Sequence, residues 1–431
     1  MDFHGCDCKG ITITEGVFGE IWSDDSGDQI YKESTPKIIK SYTIANANRM
    51  EVVIITWGAT IVSLKCPDKY GRPADVVLGF DNLTGYMNPI LNPFFGCILG
   101  RCANRIKDGE ITIGGRDYQL TKNDCNKKNH LHGGLNGFGR QVWESYTVGC
   151  SVVMSYLSQD GEEGYPGAVL ATIRFKLMTD NKLEICMRAT TSKPTIVNLS
   201  HGSMFNLAGH DAGEVELKKH KVLLNCDRWT FSDYTDPVPT GAIRGVGGTI
   251  MDFRIPRPLG DYMEKVPPGE GYDHNLCVTK NWHTSSLFVG KVWHMKSGRT
   301  MEIYSDQPGV QLYTGGRLPP WTDLESLSDS DWLEQSIKEN NNSLNNEEEE
   351  EEEMEHTKPW KKQEPEYKAV EFIPGKQGAR YKKYCAFSIQ PQNYPNAINY
   401  THFPCSILYP GQIYSHDLIY KFGVQLSNYM W

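Results

Sequence analysis

Between Thr195 and Gly209 the chain reads TIVNLSHGSMFNLAG, placing Asn198, Ser200, His201, Ser203 and Asn206 within nine positions. Apolar residues flank this cluster, and polar groups left unpaired among apolar neighbours are costly. One arrangement that meets the cost is a strand delivering the polar side chains into a wet cleft. The other is an ordinary strand end and turn, because Asn, Ser and Gly are turn formers. Taken alone, the composition favours the turn.

The elements that must position these residues have the signature of strands. Ile173, Phe175 and Leu177 alternate with Arg174 and Lys176, and Leu183, Ile185, Met187 and Ala189 alternate with Glu184, Cys186 and Arg188. A period of two marks strands with one buried face. Val215 to Leu224, Thr300 to Tyr304 and Gly309 to Tyr313 are expected to be similar. Met50 to Trp57 is a nearly continuous apolar run, the pattern of a strand buried on both faces. No sustained helical spacing and no internal repeat is visible. Many short strands separated by Gly, Pro, Asn and Asp predict an all-β protein, a large β-sandwich.

Composition narrows the functional classes. The 431 residues are 39% hydrophobic and 11% aromatic, as in a globular protein with a large core. No apolar run approaches the ~18 residues of a membrane span. The start, MDFHGCDCKG, lacks a basic region followed by an apolar one, so no secretory signal is read and a cytoplasmic location is expected. The 12 cysteines are scattered without CxxC pairs, which suits reduced thiols. His4, Cys6 and Cys8 are potential metal ligands, but a fraying N-terminus is the simpler reading, so no metal or cofactor is expected.

Residues 1–35 form a polar, Gly-rich extension expected to be partly ordered. Residues 36–321 and 369–431 are expected to form a single domain. Between them, 322–368 is a low-complexity insertion with seven consecutive glutamates from Glu347; its 16 acidic and 5 basic residues amount to −11. The whole chain carries −9, so the remainder stands near +2 and suggests neither a nucleic-acid nor a membrane surface. Like charges at this density predict disorder. A solvated loop is the simpler role, and an acidic tail that docks a basic partner is the alternative.

The Thr195–Gly209 stretch resembles the NLTNHSYFNLAG signature of the galactose mutarotase (aldose 1-epimerase) family. Asn198, Leu199, Ser203, Phe205, Asn206, Leu207, Ala208 and Gly209 match without a gap. The resemblance runs from about Val17 to Gln425. It includes WGATI (57–61), DVVLGFDNLTGY (75–86), GRCANRI within 92–120, HLHGGLNGFGRQVW (130–143) and DGEEGYPG (160–167). NCDRWTFSDYTDPVPTG (225–241), GYDHN (271–275) and QPGVQLYTG (307–315) continue it in the family's order. What the resemblance implies is a galactose-mutarotase-like supersandwich with a sugar cleft. Asn104, Arg105, His132, Asp273 and Gln311 would contact a hexose such as galactose or glucose. An amide, a guanidinium and a carboxylate complement a ring of hydroxyls that both donate and accept.

Mutarotation needs an acid and a base on either side of the C1–O5 unit of the sugar. The family uses a histidine and a glutamate. Here the histidine's place in the signature is Gly202, and the family's FCLETQ reads FSIQPQ, so Gln390 stands where the glutamate would be. Three readings follow. The first is a hexose-binding relative with weak or no catalysis. The second is an active aldose 1-epimerase whose acid has moved to His201 or His132; the His201 route needs a bulge, since neighbours on a strand face opposite ways. The third is a non-catalytic scaffold that works through its acidic insertion.

Overall fold

Alternation along the chain decides which face of each strand is buried. Val169–Leu177 buries Val169, Ala171, Ile173, Phe175 and Leu177, and Lys182–Thr191 buries Leu183, Ile185, Met187 and Ala189. The two pair in antiparallel register, with Ile173 opposite Met187. A computed structural model describes residues 9–22, 35–124, 127–233, 235–279, 287–321 and 370–426.

These two strands lie within a nine-stranded sheet. Its order is Glu144–Val148, Ser151–Ser158, Val169–Leu177, Lys182–Thr191, Tyr414–Val424, Arg299–Ser305, Leu287–His294, His220–Leu224 and Arg257–Pro258. A five-stranded sheet runs Pro239–Gly245, Cys226–Ser232, Asp273–Val278, Gly309–Tyr313 and Ser388–Gln392. A second one is built consecutively from Ile11–Ile21 to Pro73–Asp75. One core joins all three, with Ile44 and Val52, Phe175 and Met301, and Leu276, Val310 and Ile389 in a single cluster. The all-β expectation holds, and among the described residues only two short α-helices occur.

One local expectation is corrected. Val215–Leu224 is not one strand: Gly213–Leu217 is a helical turn and the strand is His220–Leu224. The Glu214–Lys218 and Glu216–Lys219 pairs, at 2.7 and 2.9 Å, are spaced for a helix and support the turn. In Glu51–Ile55, Val52 and Ile54 join one core cluster while Ile55 and the half-buried Val53 pack into another, so both faces of this strand are covered, as its apolar run implies. Ile11–Ile21, from the N-terminal extension, pairs along Lys37–Asn46 as an edge strand.

The Thr195–Gly209 stretch is neither a cleft-facing strand nor a plain turn. It is a run of short bridges whose polar side chains are buried staples. The Asn198 amide donates to the carbonyls of Ala103 and Asn393 and accepts from the Asn393 N–H. Ser200 donates to the Pro391 carbonyl, and Asn206 donates to the Cys385 and Gly213 carbonyls. Irregular buried backbone leaves carbonyls without ladder partners, and side-chain donors meet that need.

His4, Cys6, Cys8 and the acidic insertion lie outside the described residues. Among the described residues no group of three or more His, Cys, Asp or Glu could hold a metal, and no helix is long and apolar enough to cross a membrane.

Replacing Asn198 with Ala would strand two carbonyls and an N–H in the core. The expected loss is about 1–3 kcal/mol, read as a lower urea midpoint with an unchanged slope. An unaltered midpoint would show that Asn198 is not a staple.

Candidate active site

A cleft of about 710 Å³ opens where the Asp273–Val278, Gly309–Tyr313 and Ser388–Gln392 strands meet the segments around residues 89–94, 122–124 and 127–140. Every candidate sugar contact lines it: Asn104, Arg105, His132, Asp273 and Gln311. So do Gly202 and Gln390. These residues are spread over nearly 290 positions of the sequence, and the sheet order brings them together. Gln311 pairs with Gln390 on one side and with Asn275 on the other, two residues from Asp273.

Charge organises the floor of the cleft. Arg105 donates through Nε to Asp124 at 3.1 Å and through Nη1 to Asp273 at 3.2 Å, and its side chain is only 6% exposed. Gln311 donates to the other Asp273 oxygen at 2.7 Å. Burial by itself would raise the pKa of Asp273, but Arg105, Arg317 and the Gln311 amide outweigh it and hold the carboxyl well below the usual range. Asp273 is therefore an ionised acceptor across the physiological pH range. The Gln311 Oε1 is buried and, among the described residues, has no hydrogen-bond partner. A buried acceptor of this kind in a cleft wall is ready for a donor from a ligand.

Asn104 and His132 form a reciprocal clasp. The Asn104 N–H donates to His132 Nδ1 at 3.1 Å, and the His132 N–H donates to the Asn104 carbonyl at 3.1 Å. Both residues have positive φ, 67° and 52°. The turn after His132 is buried, and Gly133 is required there: a Cβ would lie 1.7 Å from the Gly100 carbonyl oxygen. Since Nδ1 accepts, the proton of the neutral ring sits on Nε2. Burial, followed by the nearby Arg105, pushes the His132 pKa down to about 3. It is a neutral hydrogen-bond donor at pH 7.

His201 is placed elsewhere. It is fully buried, with Nδ1 3.5 Å from the Tyr420 hydroxyl and Nε2 3.3 Å from Ser203 Oγ, and it is not part of the cleft lining. Ser200 pairs with Leu99 and His201 with Ile98, so alternation sends His201 to the core while Gly202 and Met204 reach the cleft. No bulge interrupts this pairing, and the His201 side chain does not turn toward the cleft.

Gly202 is closed in for a reason the sequence does not reveal. Its φ is not in the left-handed region, so backbone strain is not what a side chain would meet. A Cβ there would instead lie 2.6 Å from the Phe94 carbonyl oxygen and 3.3 Å from that of Cys97. Phe94 carries no signal in the sequence, yet its carbonyl lies over Gly202 and its ring meets the His132 ring edge-on at 5.1 Å. Arg140, equally unmarked, lies 4.8 Å from the Phe94 ring centroid. No spacing rule predicts either contact, because both come from loops.

Two outcomes are expected. Gly202→Ala should cost about 1–3 kcal/mol through overpacking against the Phe94 carbonyl, read in chemical denaturation; a neutral result would mean that the loop yields freely. His130, His132, His201, His220 and His274 are all held at about 3 to 4 by burial, below the ordinary ~6.5. Each is neutral when folded and takes up a proton on unfolding, so stability falls as pH drops below ~6.5, by about 1.4 kcal/mol per unit for each group. Scanning calorimetry should show the midpoint decreasing from pH 7 to pH 5, and equal midpoints would contradict this.

The aldose 1-epimerase family model matches residues 40–421. The galactose mutarotase of Bos taurus is 35% identical over 378 residues, covering 88% of this chain and 92% of that protein. The Homo sapiens galactose mutarotase is 34% identical over 415 residues, covering 96% and 99%. The solved GalM/aldose epimerase homologue of C. elegans superposes with a TM-score of 0.69 at 27% identity, covering 88% of this chain and 97% of that one. Galactose 1-epimerase from Lactobacillus acidophilus shares the fold, with a TM-score of 0.68 at 19% identity over 96% and 99%. The cleft, the ordered sequence matches and the shared fold agree, and this chain belongs to the aldose 1-epimerase family.

Proposed function

We propose that the cleft binds a hexose such as galactose or glucose and that the chain anomerises it weakly or not at all. One observation carries this reading: the five polar sugar-contact candidates share a single cleft with Gly202 and Gln390. An ionised Asp273, the Arg105 guanidinium and the two amides suit hydroxyls that donate and accept. The Nε2–H of His132 supplies a further neutral donor.

Catalysis asks for more. A base must take the proton of the anomeric hydroxyl while an acid protonates the ring oxygen, and the two then exchange roles. The Gln390 amide can hold a hydroxyl but cannot take its proton at neutral pH, and Gly202 has no side chain. A positioned acid or base is worth roughly 10²- to 10⁴-fold, so both substitutions together remove most of the advantage. Asp273, held ionised by its partners, is too weak a base to replace the glutamate.

A second reading, a residually active epimerase, is favoured by one feature, the proton on His132 Nε2. A group with a pKa of about 3 as an imidazolium polarises an oxygen but is not a proton reservoir at pH 7. That reading still lacks a base.

Hexose binding in the millimolar range, about −4 kcal/mol, is expected by calorimetry or ligand-observed NMR, and Asp273→Ala should abolish it while the fold persists. Polarimetry of fresh α-D-galactose and α-D-glucose should follow the buffer rate closely. Acceleration matching a galactose mutarotase measured alongside would overturn the inactive reading, and His132 would then be the next side chain to remove. Placing a histidine at 202 requires the Phe94 carbonyl to move, so Gly202→His with Gln390→Glu is expected to gain activity only if that loop shifts.

A further inference from the structure

The cleft has two unlike halves. On one side stand Arg105, Asp273, Gln311 and Gln390, tied to each other by ion pair, hydrogen bond and strand register. On the other stand Pro89, Ile90, Pro93, Phe94 and Leu135, Pro93 exposed and the other four half-buried along the cleft. Arg140 stitches this apolar wall together. Its guanidinium donates to the Leu135 carbonyl at 3.0 Å and to the Pro89 carbonyl at 3.4 Å, and it stacks over the Phe94 ring. The wall is therefore a braced surface with a fixed aromatic face. His132 marks the border, touching Phe94 on one side and Asn104 on the other.

A single hexose uses the polar half. At about 710 Å³ the cleft instead falls in the range of sites that enclose drug-sized ligands, ~300–1,000 Å³. An apolar wall facing a bound sugar would leave unfilled surface in contact with water, and an aromatic or aliphatic group covering it is favourable. The wall also begins where the acid's position ends, since the Phe94 carbonyl caps Gly202. A hexose placed with its anomeric carbon between Gly202 and Gln390 thus directs its anomeric substituent toward Phe94.

We propose that the preferred ligand is a hexoside carrying an aryl group on its anomeric oxygen, with the sugar in the polar half and the ring against Phe94. This rests on the hexose-binding reading of the same cleft and names its ligand class. It also gives the absent acid and base a physical counterpart. A glycosidic oxygen has no proton to surrender and the ring of a hexoside does not open, so its recognition needs no titrating pair.

The test is calorimetric titration of the full chain with galactose, methyl galactoside, p-nitrophenyl galactoside and p-nitrophenol, using both anomers of the galactosides. The expected result is that one anomer of the aryl galactoside binds roughly tenfold or more tightly than the methyl galactoside, with p-nitrophenol alone far weaker. Phe94→Ala should erase most of that advantage, leaving the aryl and methyl galactosides within about twofold of each other. Leu135→Ala serves the same purpose if Phe94→Ala fails to fold. Equal affinities for aryl and methyl galactosides, or p-nitrophenol binding as well as its galactoside, would overturn the aryl proposal while hexose binding stood. Absence of binding by every sugar would overturn both.

Discussion

The Arg105 guanidinium, buried between Asp124 and Asp273, is the constraint on which the cleft depends. A buried cation costs several kcal/mol in lost hydration unless its partners are close and well aimed. Here one carboxylate comes from the 120s loop and the other from the five-stranded sheet, so the ion pair joins two parts of the chain 168 residues apart. Asp273 in turn takes the Gln311 amide, and Gln311 lies beside Gln390 in the ladder. Removing one member leaves an uncompensated charge, so the network holds both the shape of the site and its electrostatic sign.

On the proposed hexose-binding reading, binding and catalysis rest on different residues. Groups that hold hydroxyls need only fixed donors and acceptors, whereas the chemical step needs groups that change protonation as the transition state forms. On that reading the first set lies in the charged network and the clasp of Asn104 with His132, and the resemblance to the family assigns the second to positions 202 and 390. At 202 the packing itself excludes a side chain, because the Phe94 carbonyl occupies the space through which one would leave the backbone. Glycine there is the residue that lets the 90s loop close against the Ser200–His201 bridge, where the Gly96 N–H meets the Gly202 carbonyl at 3.1 Å.

The buried histidines show why residue type alone is a poor guide to role. His130 is held by the Thr121 carbonyl and the Tyr165 hydroxyl, and His220 accepts from the Leu207 N–H while stacking on His294. Each is a neutral structural connector whose titration burial has moved out of the working range. His201 belongs with them, and its neighbour in sequence faces the cleft.

Much of this protein was determined by sequence alone. A period of two along 173–177 and 183–189 reports the backbone's own alternation, so the buried faces and the all-β class followed without any tertiary knowledge. Ordered motifs around Asn104, His132, Asp273 and Gln311 marked the sugar-contact candidates, and the departures at Gly202 and Gln390 were visible as letters. Tertiary structure alone decided that Asn198, Ser200 and Asn206 are staples, that His201 faces the core, and that Val215 begins in a helical turn. It also decided that Phe94 and Arg140 wall the cleft. The reason is physical: the direction of a side chain within a strand is a local property, whereas its partner is a matter of which distant segment packs there. At irregular bridges and loops no local period carries that information.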